Sequence, residues 1–381
     1  MFPNIDSQLF LLVIFGLLGF LFWIYFNRKQ NNKLALQICS FSMFLAVILI
    51  LWRVFQLNLD FGLVLAISTL FAGLAWILGV FMAFSSLDEV LDNIPGSEQV
   101  IKNMRNSSSI LDRTKDLEEL EKEAEIDKYV LKSFNSLKEE SRSYFWILLA
   151  ITCIRSFAYE PYQIPSSSMY PGLQVGDFVL VNKYAYGLRL PGTTTLISRS
   201  KEPARGDVAV FYPPHTLCES KPEDARPDLV SLPALEVQVF LGRFKSLQKE
   251  YCSKLGLKYI KRVVGIPGDK VEIKGYEIFI NDKKLNQIVL EKTSEETFYS
   301  EKNDEIEYVI RTTGISEYQN YSWVIPKDRY LAIGDNRDNS LDSKDWGYFS
   351  KKYLIGKGEY IWLHWESFTS VPTFQRNKKI Q

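Results

Sequence analysis

Three consecutive serines, Ser166, Ser167 and Ser168, stand between Pro165 and Met169-Tyr170-Pro171, and a serine hydroxyl becomes a nucleophile only beside a base. The 381-residue chain has two histidines. His215 sits next to Pro213 and Pro214, and His364 sits in the aromatic-flanked run Trp362-Leu363-His364-Trp365; neither setting suits a base. A lysine serves instead when burial disfavours its charged form and lowers its pKa toward neutrality. Lys261 is the best candidate, in Tyr259-Ile260-Lys261-Arg262-Val263-Val264-Gly265. Strand alternation turns it away from the face that carries Ile260 and Arg262. A third polar group lies in Gly334-Asp335-Asn336-Arg337-Asp338-Asn339-Ser340-Leu341-Asp342-Ser343. There the Ser340 hydroxyl could orient a neutral amine, and Asp338 and Asp342 could hold Arg262 or Lys344. Taken singly, each of these is an ordinary loop or strand feature. Arg205-Gly206-Asp207 simply leads into a strand.

The elements that must position these groups fall into zones. Residues 9–26, 34–52 and 61–84 are long apolar runs, each near the roughly 20 residues needed to cross a bilayer as a helix. A fourth, weaker run covers 144–159, with Arg155 near its end and able to reach the headgroups. Four spans are therefore expected in a membrane anchor of residues 1–159. Lys and Arg mark the cytoplasmic side. Residues 27–33 hold Arg28, Lys29 and Lys33, and a polar loop over 85–143 holds nine more, from Lys102 to Arg142. Both termini and residues 160–381 are then on the outer face. The 85–143 loop reads as a solvated amphipathic hairpin with Ile110, Leu117, Leu120, Ile126, Tyr129, Val130, Phe134 and Leu137 near helical spacing.

From 160 onward, short alternating or β-branched runs recur between turn residues, the pattern of a mostly antiparallel β domain. About 220 residues suffice to bury a core of its own. The stretch 213–258 breaks the pattern with Pro-rich, then basic and amphipathic sequence, and reads as an insertion. Cys218 and Cys252 bracket it on the oxidising side, where a disulfide between them is expected. Cys39 and Cys153 fall within spans as packing residues.

Composition closes off other classes. Forty-five basic side chains balance 45 acidic ones, so no basic field is available for a nucleic acid. Two histidines and four scattered cysteines are too few ligands for the usual zinc sites, and no metal or cofactor is expected.

The segments around the serine, the lysine and the 334–343 box, in that order, resemble bacterial type I signal peptidase, or leader peptidase, a membrane-anchored Ser-Lys protease family. The matching stretches are Arg155 through Gly187, Arg205 to Phe211, Tyr259 to Val271 and Gly334 to Gly347. The resemblance implies that Ser168 is the nucleophile and Lys261 the general base. It makes the Ser168 N–H and the Ser166 hydroxyl an oxyanion hole. Ser340 would orient Lys261, with Asp342 and Arg262 in support. Walls that admit small side chains would come from Ile164, Pro165, Met169, Tyr259 and Ile260, with Tyr162 at an often aromatic position. The implied fold is a mostly β catalytic domain with a smaller inserted β domain, about 270–322 here. The implied substrates are signal-peptide-bearing preproteins cut after Ala-X-Ala, at the outer face of the bacterial cytoplasmic membrane. Departures from the family are the four spans, the long 213–258 insertion, and Lys344 where relatives commonly carry Arg. A binding protein of the same fold that has lost catalysis is the alternative; the intact Ser168, Lys261 and Ser340 argue against it.

Overall fold

The computed structural model describes residues 7–29, 33–56, 61–91, 128–190, 195–198, 201–253, 256–314, 320–367 and 370–381. They belong to two compact units, Met1–Thr152 and Cys153–Gln381.

The first unit contains α1 (Ser7–Lys29), α2 (Lys33–Gln56), α3 (Phe61–Leu91) and most of α4 (Lys128–Cys153). The first three cover the apolar runs expected at 9–26, 34–52 and 61–84. The fourth run is α-helical only to Cys153 and continues as a π-helical turn, Ile154–Ala158. Among the described residues one stretch, Val64–Phe81 in α3, is long and apolar enough to cross a membrane; Leu11–Trp23 and Gln37–Ile50 are shorter apolar stretches. Small residues let α1 and α2 approach closely: a Cβ on Gly19 would meet Ser42 Oγ at 2.8 Å. Thr69 and Thr152 join α3 to α4 through a 2.9 Å hydroxyl contact. The polar 85–143 stretch is helical over 85–91 and 128–143, whereas Ile110, Leu117, Leu120 and Ile126 lie outside the described residues. Cys39 is buried as expected, and Cys153 is exposed. Arg155, expected to reach the headgroups, pairs with the buried Glu160 at 2.8 Å.

The second unit opens with β1 (Tyr159–Gln163), β2 (Asp177–Asn182), β3 (Leu188–Arg189), β4 (Leu196–Ser198), β5 (Val208–Phe211) and β6 (Tyr259–Gly265). Next come β7 (Lys270–Lys274), β8 (Glu277–Ile280), β9 (Lys283–Lys284), β10 (Asn286–Lys292), β11 (Thr297–Asn303), β12 (Ile306–Thr312) and β13 (Asn320–Val324). It closes with β14 (Arg329–Ile333), β15 (Phe349–Ser350), β16 (Leu354–His364) and β17 (Lys378–Lys379). Among the described residues the main sheet runs β1-β2-β16-β5-β6-β14-β15, with β17 beside β16. Its ladders are antiparallel, as the alternating runs predict.

Alternation sorts side chains between two cores. Val208, Val210 and Ile260 pack with Ile164, Met169, Val179 and Ile361. Ala209, Phe211, Tyr259 and Val263 pack with Ala332, Trp346 and Phe349 on the other side. Lys261 shares the second face and Arg262 the first, as period-two geometry requires. The 270–324 region forms two sheets, β13-β7-β8-β9 and β10-β11-β12. The four-stranded one has no separate core: Val271, Ile273, Ile278 and Trp323 pack directly on Val264, Leu331 and Ile333 of the main sheet.

The 213–258 insertion joins β5 to β6, two strands that are hydrogen-bonded neighbours. It is helical, with α5 (Pro222–Ala225) and α6 (Ala234–Tyr251). Phe244, Leu247 and Tyr251 recur at i, i+3 and i+7, forming an apolar stripe. Leu247 and Tyr251 join the core beside Trp346. Cys218 and Cys252 are bonded, with their Cα atoms 5.0 Å apart.

Candidate active site

The Ile164–Pro171 segment leaves β1 and turns over the end of the main sheet. Its turn is closed by Tyr170 N–H donating to the Ser167 carbonyl at 3.0 Å and Leu173 N–H to that of Met169 at 2.9 Å. Ser168 is thereby presented to β6. Lys261 Nζ donates to Ser168 Oγ at 2.5 Å, and both residues are buried. Opposite Lys261 in the ladder is Ala209, which leaves the lysine stem room. Burial pushes the amine down to about 8; the negative charges of Asp342 and Asp335 oppose that shift, and Lys344 adds to it. An amine so placed is partly neutral near physiological pH, the state a general base requires.

Ser166 Oγ is 3.4 Å from Ser168 Oγ. Two unpaired strand edges flank this pair. β1 is the edge of the main sheet, and β14 pairs with β6 only from Arg262 onward, so among the described residues Tyr259–Lys261 has no strand neighbour on that side. Ile164 and Met169 are buried in one apolar cluster, against which Tyr162 and Ile260 pack. Pro165 is exposed. Tyr259 packs in the other cluster and contacts His215 Nε2 through its hydroxyl at 3.3 Å. Tyr162 donates to Glu160 at 2.7 Å and accepts from Lys258 at 3.2 Å.

The 334–343 segment acts as a clamp. Asn336 N–H donates to the Ser168 carbonyl at 3.1 Å, Asn336 Nδ2 to the Ser167 carbonyl at 3.0 Å, and Asn339 Nδ2 to Ser167 Oγ at 3.1 Å. Gly334 is required by close approach: a Cβ there would lie 2.5 Å from the Ser168 carbonyl and 2.1 Å from Ser340 Oγ. Sequence reasoning missed Gly334, Asn336 and Asn339. The density of fixed polar groups in that segment was the available signal.

Two expectations need correction. Arg262 is held by neither Asp338 nor Asp342; Asp335 takes its guanidinium through two 2.8 Å hydrogen bonds. Asp335 comes two residues after β14 ends at Ile333, whereas Asp338 is turned toward Thr313 Oγ1 and Tyr276. Asp342 does hold Lys344, at 2.7 Å, and it caps α7 (Ser343–Trp346). Ser340 makes no hydrogen bond to Lys261: its buried hydroxyl has no partner and is turned onto Gly334.

Both histidines are engaged elsewhere. His215 is buried against Trp346, with ring centroids 5.8 Å apart, and burial and then Arg243 lower its pKa to about 3. His364 Nδ1 contacts Asp177 at 2.8 Å. Among the described residues no group of His, Cys, Asp and Glu could hold a metal.

Residues 137–365 match the family model described as signal peptidase, peptidase S26. The signal peptidase I of Pseudomonas aeruginosa is 34% identical over 279 residues, covering 66% of this chain and 83% of that protein. That of Haemophilus influenzae is 30% identical over 363 residues, covering 86% and 93%, and that of Buchnera aphidicola subsp. Acyrthosiphon pisum is 30% identical over 349, covering 79% and 91%. A solved signal peptidase I from Enterococcus faecalis aligns with 41% of this chain and 97% of its own, at 17% identity and a TM-score of 0.21, and carries no weight here. With the family model spanning more than half of the chain and relatives matched over most of their length, this protein belongs to the signal peptidase family, peptidase S26.

Proposed function

We propose that the chain is a membrane-bound serine endopeptidase that removes signal peptides from exported preproteins, with Ser168 as nucleophile and Lys261 as general base. The observation that carries this reading is the buried 2.5 Å contact between Lys261 Nζ and Ser168 Oγ, with the amine lowered to about 8. Once neutral, Nζ accepts the Ser168 proton as Oγ attacks the scissile carbonyl. The acyl-enzyme forms as the proton passes to the leaving amine, and water activated by the same lysine releases the signal peptide. The Ser168 N–H and the Ser166 hydroxyl stabilise the oxyanion. Asp335 and Arg262 compensate each other beside the base. Asp342, paired with Lys344, anchors the clamp. Ser340 has an unused buried hydroxyl packed on Gly334, available to orient Lys261.

The substrate enters as an extended strand between β1 and the free Tyr259–Lys261 edge. Ile164, Pro165, Met169, Tyr259 and Ile260, with Tyr162, line that course, and the closeness of Ile164 and Met169 favours small side chains, as in Ala-X-Ala. The anchor consists of residues 1–159 with four spans, and 160–381 is on the outer face of the cytoplasmic membrane. Outward-facing Leu18, Phe22, Phe41, Phe44 and Leu70 support contact with lipid, the solvent in which large apolar surfaces are stable.

The test is cleavage, in detergent, of a preprotein whose signal ends in Ala-X-Ala by wild type, Ser168→Ala and Lys261→Ala. The expected result is one cut after the second alanine, lost in both variants. Wild-type protein that is folded and cuts nothing would favour a binding role instead.

A further inference from the structure

Glu160 on β1 is a buried carboxylate, 2% exposed. Its Oε1 accepts from Arg155 at 2.8 Å and its Oε2 from Lys183 at 2.9 Å. The same Oε2 accepts from the Tyr162 hydroxyl at 2.7 Å, and the Tyr162 oxygen in turn accepts from Lys258 Nζ at 3.2 Å. That ammonium also lies 5.1 Å from the centroid of the Tyr162 ring. Burial works to raise the pKa of Glu160, but Lys183, Lys258 and Arg155 outweigh it and hold the carboxyl below its ordinary value. The Tyr162 hydroxyl therefore donates to an ionised acid and accepts from an ammonium.

This bridge joins the two strands that flank the proposed substrate course. Glu160, Tyr162 and Ile164 share a face by strand alternation. Lys258, just before β6, is in step with Ile260, which packs in one cluster with Tyr162 and Ile164. Lys258 precedes Lys261 by three residues, about 10 Å of extended chain. The contact of Lys261 with Ser168 thus marks one end of the course, and the contact of Lys258 with Tyr162 marks the other. Alternate side chains of an extended substrate are about 7 Å apart on one face. With the residue before the cut at Ser168, the third residue before it reaches the Tyr162 ring, and the second points the other way.

A ring held by packing alone can turn aside for a larger group. The Tyr162 ring cannot do so without giving up two charge-assisted hydrogen bonds and leaving a buried carboxylate with one donor fewer. We propose that Lys258 and Glu160 are specificity-determining residues that hold the Tyr162 ring as a fixed stop, restricting the third residue before the cut to a small side chain. The inference rests on the peptidase reading and deepens it by two residues. Neither touches the reacting atoms; both are positioning residues that act through Tyr162.

The test measures kcat/KM in detergent on two pairs of preproteins. One pair differs by Ala or Leu at the third residue before the cut, the other by Ala or Leu at the residue just before it. Lys258→Met keeps the stem and removes the donor, and Tyr162→Phe keeps the ring and removes both hydrogen bonds. In each variant the preference for Ala at the third residue falls about tenfold, while the preference at the residue before the cut stays that of the wild type. Lys258→Arg, which still donates to the phenol, keeps both preferences. A structural loosening would lower both preferences together; that result, or an unchanged preference at the third residue, overturns the proposal. Should Lys258→Met fail to fold, Tyr162→Phe decides. A wild type that cuts neither pair removes the peptidase reading and this inference with it, whereas a wild type that cuts while the variants keep its preferences removes this inference alone.

Discussion

At the residue scale, two adjacent basic side chains on β6 have opposite fates. Arg262 is buried but neutralised by Asp335, and its guanidinium stacks 3.7 Å from the Tyr308 ring centroid. Lys261 is buried with no direct ion pair, and its pKa falls from 10.5 to about 8. Below pH 8 the folded and unfolded chains both bind the proton, and the folded one alone bears the cost of burying the charge. Between about 8 and 10.5 the unfolded chain binds the proton and the folded one does not, so stability rises with pH. The charge thus costs about 3 kcal/mol at neutral pH and nothing at high pH. Lys261→Met is expected to raise the melting temperature at pH 7, with the advantage shrinking as the pH passes from 8 to 10; a constant advantage would refute this origin. Wild-type kcat/KM should rise through the same pKa, because only the neutral amine accepts a proton. The lysine was legible because alternation alone assigns its face. The Asp335–Arg262 pairing was not, since three acids in one segment, Asp335, Asp338 and Asp342, give no clue to which of them the chain leaving β14 carries to Arg262. Nor does sequence show that the Ser340 hydroxyl is left without a hydrogen bond.

At the element scale, the helical insertion is fastened to the β6 strand by His215. The ring stacks on Trp346 and meets Tyr259 edge-on, and its pKa falls to about 3. Since the folded chain keeps His215 neutral down to that pH, the unfolded chain binds a proton first as pH drops below 6.5. Stability is complete above about 6.5 and lost progressively toward 3, by on the order of 4 kcal/mol over the window. His215→Phe keeps the ring packing and removes the proton. Its acid-unfolding curve, followed by tryptophan fluorescence, should be displaced to lower pH than that of the wild type. The sequence marked 213–258 as foreign to the strand pattern, Pro-rich and then basic and amphipathic. The burial of His215 was hidden, because its aromatic neighbours come from residues 251, 259 and 346, which only the fold brings together.

At the scale of the whole molecule, an apolar helical unit precedes a β unit, and the change at Cys153 falls close to the boundary expected at 159. The helices were legible from run length, though not how many of them cross a membrane. If 160–381 is on the outer face, protease added to sealed, right-side-out vesicles should digest the β unit and leave the helical fragments; protection of the β unit would reverse the orientation. The mostly antiparallel β class was equally plain from alternation. That the four-stranded sheet shares its core with the main sheet was not, since alternation names a buried face without naming its partner. The insertion between β5 and β6 has a further consequence, for how this unit is made. The lysine-bearing strand must find a neighbour across the 212–258 stretch, about 47 residues away along the chain. The bond between Cys218 and Cys252 shortens the path to about 14 residues, which lowers the entropic cost of closure by about 1 kcal/mol. Reductant present during refolding should therefore slow acquisition of activity far more than it affects enzyme already folded, making the cysteine pair an aid to assembly and not a part of the chemistry.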